Sequence, residues 1–175
     1  YHLAPEYKFP AGLNEAYETL VWTKNNIGLY YGDEGNISVA GDSSGGNFAA
    51  AVSIMARDQE GPKIRKQILF YPLTTNYEEE ITDSEQHYQV GYFLNYNCMN
   101  NPMAHYFENE EDVKNSLASP LLEDNLKGLP PACFISAECD PLLDQGLQYA
   151  AKLQDAGVKV EYHILKGMLH GFINR

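Results

Sequence analysis

Two apolar runs, Gln67-Ile68-Leu69-Phe70-Tyr71 and Ala132-Cys133-Phe134-Ile135-Ser136-Ala137, proceed without polar alternation, the first ending at Pro72 and the second following Pro130-Pro131. A strand with one face in water alternates, whereas a strand covered on both faces does not, and the latter is the habit of parallel sheets. Around these runs lie segments of helical period. Leu13, Ala16, Tyr17, Leu20 and Val21 recur at helical spacing from Pro10 to about Asn26, with Gly28 just beyond, which predicts a helix. Asn36 to Ala40 reads as a short strand. Phe48 to Arg57 reads as a helix whose Ala49, Ala50 and Ala51 permit close packing. Leu147 to Ala156 reads as a helix closed by Gly157, and Val158 to Leu165 alternates like a strand. This order of helices and strands predicts an α/β domain on a mostly parallel sheet, with helices on both faces.

Between Thr74 and Pro130 the alternation lapses into a stretch rich in Tyr, Asn and acidic residues. One or two helices are expected there, within Asn95 to Tyr106. An excursion of this length between core elements suggests a lid over one face of the sheet. The 175 residues suit a single domain, 1–175, with 74–130 as its lid-like, partial cap. No internal repeat or low-complexity tract occurs. The chain opens at Tyr1-His2-Leu3-Ala4-Pro5 without Met, so a fold incomplete at its N-terminus is expected.

The balance of 12 Lys+Arg against 24 Asp+Glu gives a net charge of −12, which argues against nucleic acid and anionic membrane surfaces as partners. No apolar run approaches the roughly 20 residues of a spanning helix, and no leader opens the chain. Cys98, Cys133 and Cys139 are odd in number and lack C-x-x-C spacing. That pattern indicates neither a disulfide framework nor a zinc site. Reduced thiols favour a cytoplasmic setting, and neither a metal nor a cofactor is expected.

Between the first short strand and the Phe48 helix stands Ala40-Gly41-Asp42-Ser43-Ser44-Gly45-Gly46-Asn47. Gly41-Asp42-Ser43-Ser44-Gly45 fits G-x-S-x-G in its strand–turn–helix setting, where a tight turn lifts a serine hydroxyl clear of the sheet. Gly41 and Gly45 would spare the turn a Cβ collision, and the Ser44 N–H would face a developing oxyanion at the helix start. The plainer reading is a Gly-Ser turn that merely caps a helix, Ser and Asp both being good N-caps; the strand–turn–helix context favours the nucleophile. A phosphate loop is disfavoured because G-x-x-x-x-G-K-[ST] is absent.

A serine nucleophile needs a base and an orienting acid, expected later in the chain in the order acid then His. Asp140 follows the strand ending near Ala137, and His170 follows the strand ending near Leu165. Both positions lie past C-terminal strand ends, where ligand chemistry gathers in open α/β sheets. Asp144 is the rival acid, but it directly precedes the helical run and reads more simply as an N-cap. His2, His87, His105 and His163 have no comparable setting, and His163 falls inside a predicted strand.

At these residues the sequence resembles the hormone-sensitive-lipase-like family of α/β-hydrolases, which includes bacterial carboxylesterases and arylacetamide deacetylase. The resemblance rests on YHLAPEYKFPAGLNEAY, VAGDSSGGNFAAAV, AECDPLLDQGLQYAAKLQDAGVKVEYH and GMLHGF. It implies Ser43 as nucleophile, His170 as base, Asp140 as its partner and the Ser44 N–H as an oxyanion donor. It further implies small, short-chain acyl esters as substrates and no cofactor. His2 stands where the family usually has Arg, and Ser44 where it usually has Ala. The family's H-G-G-G-type oxyanion loop would precede Tyr1, so a chain beginning there is expected to be a weak catalyst. An amidase or peptidase on the same triad, and a hydrolase-fold binding protein without chemistry, stay open as alternatives.

Overall fold

The computed structural model describes residues 1–77, 80–94 and 105–174. Four strands, β1 (Val39–Asp42), β2 (Gln67–Phe70), β3 (Ala132–Cys139) and β4 (Val160–Leu169), form one sheet in the order β1-β2-β3-β4. All three pairings are parallel, and Val39, Gln67, Ala132 and Val160 stand in one row across the sheet. The C-terminal ends of the strands therefore share an edge. Helix α1 (Ala11–Asn26) precedes β1, and α2 (Ser44–Asp58) joins β1 to β2. The six-residue α3 (Asp83–Tyr88) lies in the excursion, and α4 (Leu143–Asp155) joins β3 to β4.

Each crossover advances to the next strand in the same direction, so right-handed connections place α2 and α4 on the same face. Ala49, Ala50 and Ile54 of α2 join Tyr149, Ala150 and Leu153 of α4 in one buried cluster over Leu69 and Phe134. A second cluster packs Leu13 and Leu20 of α1 on Ala51, Val52, Met55 and Ala56 of α2. Of the two faces expected to carry helices, the one bearing Leu69 and Phe134 does so among the described residues. Ile68, Phe70 and Ile135, on the other face, are half-buried. No helix among the described residues is long and apolar enough to cross a membrane.

The element ends depart from the sequence reading in one consistent way. Gly41 and Asp42 look like turn residues, yet they pair with Leu69 and Phe70, so β1 begins at Val39 and runs on to Asp42. Both α2 and α4 start four residues earlier than expected, at Ser44 and Leu143. The early start of α4 corrects the reading of Asp144, which is not the N-cap. Leu142 holds that position, and Asp144 lies inside the first turn. In the excursion, α3 stands ahead of the expected place, closed by a capping box between Thr82 and Glu85. The expected helices within Asn95 to Tyr106 lie outside the described residues except at His105 and Tyr106, which are helical.

Candidate active site

Ser43 lies between the last residue of β1 and the first of α2, at φ 56° and ψ −118°. A non-glycine residue with positive φ is rare and strained. Its neighbours hold it there. Its N–H donates to the Phe70 carbonyl at 2.9 Å, and its carbonyl accepts from Leu73 N–H at 3.1 Å. The buried Asn47 amide donates to the carbonyls of Leu73 at 2.9 Å and Ala118 at 2.8 Å, pinning the first turn of α2 to the loop after β2. Ser44 opens α2, so its N–H is among those at a helix start that have no intrahelical acceptor.

Close approach explains two of the glycines. A Cβ on Gly41 would lie 2.0 Å from the Gly45 carbonyl oxygen, and one on Gly46 would lie 2.8 Å from Pro72 Cβ. Gly45 itself is different: a Cβ there would meet nothing nearer than Asp42 Oδ1 at 3.8 Å. The expectation that Gly45 spares its own collision is corrected accordingly. Its backbone crowds Gly41, and Gly46 is the second position where space is lacking.

Asp140 follows β3 directly and is 1% exposed, while His170 follows β4 directly and is 4% exposed. Because β3 and β4 are neighbours, the two side chains meet: His170 Nδ1 lies 2.8 Å from Asp140 Oδ2. The other carboxylate oxygen accepts from Leu142 N–H at 2.9 Å, so neither oxygen of this buried acid lacks a donor. A carboxylate only accepts, so the Nδ1 proton sits on the ring and Nε2 is left as acceptor. Nε2 is 2.9 Å from Ser43 Oγ. Residues far apart in the chain thus form one hydrogen-bonded line, acid to imidazole to hydroxyl.

The bend that delivers His170 comes from β4. Pairing runs to Ala137–Leu165 and resumes at Cys139–Leu169, so β4 carries extra residues opposite β3. Such a bulge redirects the chain beyond it. Gly167, at φ 70°, lies in that irregular stretch, and its N–H donates to Glu138 Oε2 at 2.7 Å. Tyr71 flanks the imidazole, with ring centroids 4.7 Å apart, and its hydroxyl reaches Asp42 Oδ2 at 3.4 Å. Burial, reinforced by the Asp42 charge, pushes the Tyr71 phenol up and keeps it protonated. Sequence reading missed Tyr71, Glu138 and Asn47. Only Tyr71 gave a local signal, as the last residue of an apolar run before a proline.

The rival acid serves elsewhere. Asp144 Oδ2 accepts from Ser84 N–H at 2.7 Å, tying α3 to α4. Of the other described histidines, His2 pairs with Glu15, His87 with the Asp83 carbonyl, and His163 lies within β4.

The profile of a family described as alpha/beta hydrolase fold matches residues 1–174. An arylesterase of Saccharolobus solfataricus is 37% identical over 174 residues, covering 99% of this chain and 56% of the relative. Carboxylesterase NlhH of Mycobacterium tuberculosis is 36% identical over 177 residues, covering 99% and 55%. The crystal structure of a thermophilic, thermostable carboxylesterase cloned from a metagenomic library superposes with a TM-score of 0.94. It is 39% identical, with 99% of this chain and 59% of that one covered. The chain spans about half the length of the curated relatives it matches.

Proposed function

The chain belongs to the alpha/beta hydrolase fold family, and on that premise we propose that it hydrolyses small, short-chain carboxylic esters, with Ser43 as nucleophile, His170 as base and Asp140 as the acid that orients the base. The observation that carries this reading is the line Asp140–His170–Ser43, with both contacts at hydrogen-bond distance. The names of the relatives, arylesterase and carboxylesterase, point the same way. We also propose a cytoplasmic setting, on the strength of the reduced-thiol pattern.

In the first step the Ser43 hydroxyl passes its proton to His170 Nε2 as Oγ bonds to the ester carbonyl carbon. The carbonyl electrons move onto oxygen, which the Ser44 N–H and the start of α2 stabilise. The imidazolium, steadied by Asp140, returns the proton to the departing alcohol as the carbon–oxygen bond breaks. Water then gives a proton to Nε2 as its oxygen bonds to the acyl carbon, and the imidazolium returns that proton to Ser43 Oγ as the acyl carbon–Oγ bond breaks and the acid leaves. The excursion reaches this centre. A methyl placed on Gly171 would touch the Phe93 ring at 3.4 Å, so an aromatic ring adjoins the residue next to the base. That ring suits an apolar acyl or alcohol group.

Treatment with a fluorophosphonate followed by intact-mass measurement and peptide mapping tests the assignment, alongside turnover of short-chain nitrophenyl esters. One adduct on Ser43 is expected, with adduct and turnover both lost in Ser43→Ala. Turnover retained in that variant would overturn the nucleophile. A folded chain that takes no adduct and hydrolyses nothing would instead be a hydrolase-fold binding protein.

A further inference from the structure

Far from the triad, near the N-terminal edge of the sheet, three chemistry-bearing side chains converge on the face opposite the α2–α4 layer. Cys133 is the second residue of β3 and Glu161 the second of β4, and they are direct register partners. His163 follows two residues along β4, opposite Ile135. Period-two alternation puts all three on one side. One ligand atom from each, a sulfur, a carboxylate oxygen and an imidazole nitrogen, lies within 4.8 Å of the other two. Cys139, the last residue before Asp140, stands six positions beyond Cys133 along β3. That separation is about 20 Å at strand rise, so the ester-hydrolysis mechanism uses none of the three.

We propose that Cys133, Glu161 and His163 form a site for one zinc-class divalent cation, with a fourth coordination position open to water. The donor set decides the class: thiolate with imidazole selects zinc and its neighbours, whereas calcium and magnesium take oxygen ligands. Size agrees as well. Ligand atoms about 2.0–2.3 Å from a tetrahedral zinc lie about 3.5 Å from each other. Closing from 4.8 Å requires shifts of roughly an ångström. Glu161 and His163 are exposed, so their side chains have room to make them.

Charge agrees too. The nearby cation is Lys66, whose Nζ lies 3.0 Å from Glu161 Oε2 and whose position places it on the same face. The same carboxylate accepts from the Cys133 S–H, so the ion would replace that thiol proton between sulfur and carboxylate while Lys66 keeps its oxygen. Thiolate and carboxylate against one ammonium leave the site at −1 with His163 neutral. A metal binds the thiolate, so binding releases the Cys133 sulfhydryl proton to solvent as the sulfur–metal bond forms. Sequence spacing hid this site, because its ligands come from neighbouring strands and not from a local C-x-x-C or H-x-x-x-H pattern.

The test is a titration of the reduced, chelator-treated protein with Co2+, a zinc stand-in visible by absorbance. One equivalent should produce a thiolate-to-cobalt charge-transfer band with the visible envelope of tetrahedral cobalt, and Zn2+ should bleach both. Cys133→Ser should abolish the charge-transfer band. Loss of even an outer-shell partner costs about 10–100-fold in metal affinity, so His163→Ala should weaken binding at least about tenfold. Because His163 is exposed, that variant reads the site without disturbing the core. No band at several equivalents of Co2+ overturns the proposal. So does a band that survives Cys133→Ser, which would belong to Cys98 or Cys139, and so does unchanged affinity in His163→Ala.

Discussion

Ser43 at φ 56° stores strain that its backbone hydrogen bonds hold, and the glycines beside it leave that backbone the space to close up. Gly41 and Gly45 occupy equivalent-looking positions in G-x-S-x-G, yet space treats them differently. At Gly41 a methyl group would sit 2.0 Å from a backbone oxygen, and backbone on both sides of a strand–helix turn cannot swing aside as a side chain would. At Gly45 the same methyl has room, and the residue lies in the first turn of α2, where alanine outranks glycine as a helix former. Gly41→Ala is therefore expected to destabilise by about 3 kcal/mol, at the upper end for overpacking. Gly45→Ala is expected to be neutral or to stabilise by a few tenths of a kcal/mol. Denaturant unfolding of the two variants checks the contrast, and equal losses at both positions would refute it.

Among the elements, β2 and β3 were legible in sequence because their apolar residues run on without polar alternation and are set off by prolines, although the face bearing Ile68, Phe70 and Ile135 is only half-buried. Their neighbours were legible only in part. Gly41 and Asp42 join β1 because pairing with Leu69 and Phe70 overrides their turn preference. The end of β4 was hidden because Gly167, which reads as a loop residue, lies within an irregular strand. Ser43, Asp140 and His170 stood out as residues that each follow a strand-like run, and adjacent parallel strands bring such positions together. Glu138 did not, since its contact with Gly167 depends on a partner 29 residues away. Helix α3 was equally silent, for a related reason: at six residues it is too short to persist alone. Besides its capping box, it is held by a reciprocal pair in which Ser84 N–H donates to Asp144 Oδ2 and Asp144 N–H donates to Ser84 Oγ at 3.1 Å. Ser84 Oγ–H donates to the Pro141 carbonyl at 3.0 Å. Removing the carboxylate strands a half-buried N–H at a cost of about 1–3 kcal/mol, and a short helix opens locally before the sheet does. Asp144→Ala should therefore speed amide exchange in peptides spanning residues 80–94 while β2 and β3 keep their protection. Unchanged exchange over 80–94 would show that the excursion is held by other contacts.

At the scale of the whole molecule, one cluster joins α2, β2, β3 and α4, and Tyr149 is its largest member alongside Phe134, with ring centroids 6.1 Å apart. Tyr149 is fully buried, and its hydroxyl finds no hydrogen-bond partner among the described residues. Tyr162 meets burial differently: its hydroxyl pairs with Ser136 Oγ at 2.9 Å, and its phenol is pushed up to about 12. A buried hydroxyl without a partner keeps its desolvation cost of about 1–3 kcal/mol. Tyr149→Phe removes that cost and leaves only a small void, so a gain of about 1 kcal/mol is expected, or a Tm rise of roughly 2–4 °C for a domain of this size. The sign then depends on pH. Desolvation raises the Tyr149 phenol far above its ordinary value, so the unfolded chain ionises first. Above pH about 10 the unfolded state binds fewer protons than the native state at this position, and wild-type stability falls as pH rises. The phenylalanine variant lacks this penalty. The net charge of −12 adds self-repulsion at alkaline pH to both proteins, and that contribution cancels in the difference between their unfolding curves. The Tyr149→Phe advantage should therefore be constant through neutral pH and widen steadily above about 10. A difference that stays flat across that range would mean the hydroxyl is solvated in the folded protein.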